Sequence, residues 1–194
     1  SIAIPPLGCG LGGLDWSEVR REIEKTFEDL PDVRVFLYEP GGAPTAEQIV
    51  IVHKTPNMTV GRASLVGLMR RYLDAVMDPW VTLLEIQKLM YFMQETGEPL
   101  RLRYAKALYG PYADNLGHVL DQIEGHFTSG YLDGGNDPQK PIERKAQAIN
   151  MAEQFLVDHP MTRSRFDRVT DLIQGFENPY GMELLSTVHW VVTH

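Results

Sequence analysis

The chain has 194 residues, 43% hydrophobic and 23% charged, with a net charge of −8. That length accommodates one or two domains with a real core, and the acidic balance argues against indiscriminate attraction to a nucleic-acid backbone. The one cysteine, Cys9, excludes an intrachain disulfide and a cysteine-built zinc site, and no apolar run approaches a membrane span; the expectation is a cytoplasmic protein without membrane anchor, cofactor or metal.

Ile2–Ile4 reads as a short strand. It begins after Ser1, not after a methionine, so the chain reads as part of a longer protein. A glycine-dense turn follows, with glycines at 8, 10, 12 and 13 that take positive φ freely and let a ligand come close. Asp15 with Glu18 three residues on is a capping-box-like helix start. Val19, Ile23, Phe27 and Leu30 then recur at helical spacing, which predicts a helix over 16–29. Free N–H groups and the positive dipole end at that start suit a phosphate. The segment VRVFLYE (33–39) reads as a buried parallel strand that closes a β–loop–α–β unit.

Residues 40–56 have the composition of a linker, with IVIVH (49–53) a weak strand inside it. Helices are predicted over 59–77 and over 82–96, the second with a Thr82–Glu85 capping box and Gly97 as its C′ residue. The alternation in Leu100–Tyr104 predicts a short strand before a Gly-Pro turn. A helix over 113–128, a loop over 133–141 and helices over 142–157, 163–175 and 179–192 complete the chain. The expected fold class is mainly α: a helical domain over 57–194 with five or six helices around one core, preceded over 1–39 by a short α/β (β-loop-α-β) segment.

Gly8-x-Gly10-x-x-Gly13 matches a dinucleotide fingerprint, and Glu39 stands where a ribose-binding carboxylate belongs. Pro5-Pro6 makes a stiff approach instead of a tight turn, and no further βα units follow. An NAD(P)-binding enzyme built on this loop is therefore one alternative. A helical interaction module for an unrelated partner, with a purely structural loop, is another. In the second half His53, His118, His126, His159 and His189 lack metal-ligand spacing, and Ser129, Ser164 and Ser186 lack a nucleophile elbow. Tyrosines and arginines gather instead over 101–115. Tyrosine and arginine are favoured interface anchors, which makes Arg101, Arg103, Tyr109, Tyr112, Asp114 and Asn115 candidate contacts to a protein partner.

Ile4-Pro5-Pro6-Leu7-Gly8-Cys9-Gly10-Leu11-Gly12-Gly13-Leu14-Asp15-Trp16, followed by a helix and a strand ending at Tyr38, resembles the last β–loop–α–β segment of a macrodomain. Macrodomains bind ADP-ribose, so the resemblance implies ADP-ribose contacts at Gly8, Cys9, Gly10, Leu11, Gly12, Gly13 and Leu14. Two subgroups come closest, the terminal-ADP-ribose glycohydrolase and the DarG antitoxins. In the former an acidic residue follows Gly-Cys-Gly-Leu and serves catalysis. That position is Gly12 here, which favours the DarG branch, where the resemblance implies an essential lysine upstream of this chain. Residues 83–120, 129–135 and 175–191 resemble the C-terminal region of DarG, and KLMYFMQ…YGPYADNL is similar to helical antitoxin modules with a K-L-x-Y-F…G-P-Y pattern. The resemblance implies a two-part antitoxin. The macrodomain would remove ADP-ribose from DNA bases. The helical domain would bind the DarT-like ADP-ribosyltransferase toxin, partly by imitating single-stranded DNA, and these 194 residues alone would be catalytically inactive.

Overall fold

The computed structural model describes residues 2–9, 13–30, 32–40, 55–131 and 137–194. The chain divides into two compact units, Ser1–Ile49 and Val50–His194. The predicted strand over 49–53 lies outside the described residues.

In the first unit, β1 (Ile2–Ile4) pairs in parallel with β2 (Val35–Leu37), with Ile2 opposite Val35 and Ile4 opposite Leu37. The crossover carries α1 (Trp16–Phe27), which ends two residues short of its predicted 29. The second strand is three residues long where seven were expected. Trp16, Val19, Ile23 and Phe27 form the partly buried stripe of α1, and none of its residues is fully buried. Phe36 and Tyr38 are exposed, so this small sheet leaves large apolar side chains in solvent.

The second unit holds six helices among its described residues: α2 (Val60–Val76), α3 (Leu83–Glu95), α4 (Asn115–Ile123), α5 (Ala146–Val157), α6 (Pro160–Ile173) and α7 (Pro179–Thr193). The mainly α class is observed. Five short strands join them. β3 (Val81–Thr82) and β6 (Thr128–Ser129) flank β7 (Pro141–Arg144) in an antiparallel sheet, and β4 (Ala105–Ala107) with β5 (Gly110–Tyr112) forms a hairpin.

α3 is the centre of the core. Eleven of its thirteen residues are buried, which makes it a helix enclosed on every side and not an amphipathic one. α2, α6, α7 and β5 pack around it. Its start is set by the capping box predicted from sequence: Thr82 Oγ1 accepts from Glu85 N, and Glu85 Oε2 accepts from Thr82 N at 2.8 Å. α2 packs on α6 at Gly67, where a Cβ would stand 2.7 Å from the Phe166 ring.

Five predictions change in this unit. The strand expected within Leu100–Tyr104 is absent there, because side chains take the backbone groups a ladder would use; the strand forms instead at Ala105–Ala107. The helix expected over 113–128 stops at Ile123. Gly125 sits at φ +75°, and the chain then turns into β6. Residues 141–144 form a strand and not a helix: Ile142 alone is buried between exposed neighbours and pairs with Val81, and the helix starts at Ala146. α6 begins three residues earlier than predicted, because Pro160 serves as its first helical residue. The loop expected over 133–141 loses Pro141 to β7, and its residues 133–136 are not described.

Candidate functional site

In the first unit the predicted loop is partly visible. Gly8 (φ +71°) and Gly13 (φ +65°) both adopt the left-handed region, and a Cβ on Gly8 would fall 2.5 Å from Leu14 Cδ1. Leu14 N donates to Gly8 O at 3.0 Å, which closes the loop on itself. Cys9 is half-buried, its thiol directed at Leu7 O. Gly10, Leu11 and Gly12 lie outside the described residues. The helix start differs from expectation. Asp15 Oδ1 accepts from Ser17 N at 2.8 Å and Glu18 N at 3.3 Å, and its hydrogen bonds to Ser17 and Glu18 hold its carboxyl below the usual carboxylate range. Two of the N–H groups read as free for a phosphate are therefore already used, by a group of the same charge as the ligand. Any anion held here relies on loop backbone. An open hollow of about 500 Å³ beside α1 is lined by Leu7, Leu14, Val19, Ile23 and Phe27 among others.

The second unit concentrates its polar chemistry on α3. Gln87 forms a two-way clamp on Ala113: its Nε2 donates to Ala113 O at 3.2 Å and its Oε1 accepts from Ala113 N at 3.1 Å. Seven residues on, Gln94 does the same to Leu102, donating to its carbonyl at 2.9 Å and accepting from its N–H at 2.8 Å. Asn115 adds a third clamp, accepting from Arg103 N at 2.9 Å and donating to Arg101 O at 3.0 Å. These carboxamides hold the segment that carries the hairpin as a neighbouring strand would.

Lys88 lies between the two glutamines in sequence and is fully buried. Its Nζ donates to Pro111 O at 2.7 Å. Burial pushes its pKa down to about 8, a fall opposed by the Glu183 carboxylate. Gly110 (φ +81°) packs so tightly that a Cβ would overlap Thr187 Oγ1 on α7 and come 3.5 Å from Lys88 Nζ. Lysine, glycine and proline of the K-L-x-Y-F…G-P-Y pattern thus meet in one place. The tyrosine Tyr91 shares a hydrogen bond with His189 Nδ1 at 2.7 Å and packs edge-on against Tyr104, and burial raises its hydroxyl pKa to about 12.

A cavity of about 210 Å³ opens between the hairpin and the start of α3, lined by Leu83, Leu84, Lys88, Leu108, Tyr109 and Pro138 among others. A larger hollow of about 590 Å³ between α2, α5 and α6 contains Arg70, Arg71 and Arg163. Two of these are already neutralised, Arg70 by Asp74 and Glu153 and Arg71 by Asp167, so it is a poor anion receptor. No group of three or more His, Cys, Asp or Glu side chains is placed to hold a metal among the described residues.

No family model matches the chain. Over its full 194 residues it is 45% identical to a protein from Thermus aquaticus named DNA ADP-ribosyl glycohydrolase. It is 40% identical, over 207 aligned residues, to proteins of the same name from Mycobacterium tuberculosis and Mycobacterium bovis. The chain is thus similar over its whole length to proteins named DNA ADP-ribosyl glycohydrolase. It spans about half the length of the curated relatives it matches, 53% of the Thermus protein and 57% of the mycobacterial ones, which accords with the DarG resemblance read from its motifs.

The six residues singled out for a partner divide by role. Arg101, Arg103, Tyr109 and Asp114 are exposed. Arg101 takes φ +61°, a conformation unusual outside glycine, and the Asn115 carboxamide on its carbonyl helps hold it there. Tyr112 is half-buried, its hydroxyl pKa raised by burial and then by the Asp114 carboxylate. Asn115 is engaged in backbone clamping, so it positions the arginines. Gln87, Lys88 and Gln94 were not singled out as site residues from the sequence, although Lys88 and Gln94 fall within the KLMYFMQ segment. Polar side chains on one side of an amphipathic helix read as its solvent face, so nothing local marked them as structural.

Proposed function

We propose that the helical unit is the toxin-neutralising part of a DarG-like antitoxin, binding a DarT-like DNA ADP-ribosyltransferase. The observation that carries the reading is the full-length identity of 40–45% to proteins named DNA ADP-ribosyl glycohydrolase. An enzyme that removes ADP-ribose from DNA has its natural counterpart in one that attaches it. The architecture supports a binding role for the helical half: three carboxamide clamps and a buried lysine hold one hairpin segment rigid, and a preorganised surface loses less entropy on association. Asp114 and Asp121 are exposed on α4 and its N-cap, where carboxylates can occupy phosphate positions in the DNA groove of the toxin. The whole protein would act on ADP-ribosylated DNA in a macrodomain to which loop 8–14 contributes ADP-ribose contacts.

The test is co-purification of this chain with the cognate transferase, followed by an assay of modification on single-stranded DNA. A stable complex and loss of modification are expected. An unaffected transferase that elutes separately would reject the reading.

A further inference from the structure

The outer face of α7 is apolar along its length. Tyr180, Leu184, Val188 and Val191 recur at helical spacing and are 74%, 44%, 55% and 74% exposed. Glu183 is the only Asp, Glu, Lys or Arg in the helix. A surface helix ordinarily turns a charged face to water, and a contiguous apolar patch on a soluble protein marks an interaction site. The patch extends beyond the helix. The hairpin turn reaches α7 at Gly110, which packs against Thr187, the neighbour of Val188. That turn consists of Leu108, 85% exposed, and Tyr109, 43% exposed. The segment leading into it carries Arg101, Arg103 and Lys106, all exposed and without an ion-pair partner among the described residues. No acidic residue occurs from 99 to 113, on a chain whose net charge is −8.

We infer that the hairpin tip and the outer face of α7 form one docking surface for the DNA ADP-ribosyltransferase, with an apolar ridge of the toxin against Leu184 and Val188 and its carboxylates meeting the three cations. The inference rests on the antitoxin reading and adds where the partner sits. Charge argues against a second copy paired symmetrically on this surface. A second copy of the chain would bring the same cations and no acid from 99–113 to the same rim, whereas carboxylates on a different protein complement it.

The experiment compares the unaltered chain with Leu184→Glu/Val188→Glu, with Arg101→Glu/Arg103→Glu, and with Met161→Glu on α6 as a control for an exposed apolar residue elsewhere. Affinity for the purified transferase is read by calorimetry, folding by thermal melting, and mass by light scattering. The α7 pair is expected to weaken binding about 30-fold or more, as loss of central apolar anchors does. The arginine pair is expected to weaken it about 10-fold, with reduced salt dependence. The control should bind as the unaltered chain does, and all variants should melt within a few degrees of it. Unchanged affinity in a folded α7 variant would overturn the surface while leaving the antitoxin reading intact. So would a dimer of the unaltered chain that the α7 pair converts to monomer with unchanged toxin binding. Absence of binding by the unaltered chain would overturn the reading itself, and this surface with it.

Discussion

At the scale of single residues, Lys88 carries a charge into the interior and satisfies one carbonyl with it. Its pKa of about 8 in the fold lies below the ordinary lysine value of 10.5. Between those two values the unfolded chain binds a proton that the folded chain does not, so stability from this group rises with pH across that window. Below pH 8 both states are protonated and the full desolvation penalty, on the order of 3 kcal/mol, is present. Lys88→Met removes the titration and leaves Pro111 O unpaired. Urea unfolding of both proteins should show the native chain gaining about 2 kcal/mol relative to the variant from pH 7 to pH 9.5; a constant difference would mean that Lys88 does not titrate in this window. Nothing in the sequence alone points to this role. Leu83, Ile86, Leu89, Met90 and Met93 define the apolar stripe of α3, which leaves Gln87, Lys88 and Gln94 reading as the wet side. Gln87 and Lys88 are buried and Gln94 is half-buried because residues 98–113 and α7 cover that side, a tertiary fact without a local signal.

At the scale of elements, chain ends that carry their own chemistry were legible. Asp15 caps α1, Thr82 and Glu85 box α3, and Gly97 at φ +92° follows it. The short strands of the three-stranded sheet in the second unit were not legible. β3, β6 and β7 are two to four residues long, too short for a period-2 pattern to stand out. Glu85 shows how much one cap can carry. Besides its box with Thr82 it accepts from Tyr72 OH at 2.6 Å, and burial, reinforced by that carboxylate, pushes the tyrosine pKa far up. Glu85→Ala removes the cap and strands a buried hydroxyl, so a loss of about 3 kcal/mol is expected by chemical denaturation. Glu85→Gln, which keeps one acceptor oxygen for the Thr82 N–H and can donate its amide to the Tyr72 hydroxyl oxygen, should lose less. Equal losses would assign the effect to charge and not to hydrogen bonding.

At the scale of the whole molecule, the two units differ in how much they bury. The second has a continuous core from Ala63 to Met182, whereas Ile4 is the one buried hydrophobic residue among the described residues of the first. Opening free energies within one protein range from near zero to the global value according to such burial. In hydrogen exchange on the full chain, α1 amides should exchange far faster than those of α3, whose protection should match global unfolding. Equal protection would show that the first unit is stabilised as firmly as the second. The division into a small α/β part and a helical part followed from composition and periodicity. The placement of the candidate contacts did not, because it depends on which carboxamide reaches which backbone.

The hairpin also has a handed edge. Its register sets Lys106 opposite Pro111, with Ala107 and Gly110 closing the turn. In that alternation the Lys106 N–H and C=O point away from β5. On the other side Pro111 has no N–H to offer, and Lys88 occupies its carbonyl. A third strand can be laid beside β4 and not beside β5, and the open side carries a lysine, the residue that sheet proteins favour for blunting a free edge. The ribbon is thereby protected from stacking with its own kind while the molecule keeps a rigid, exposed tip.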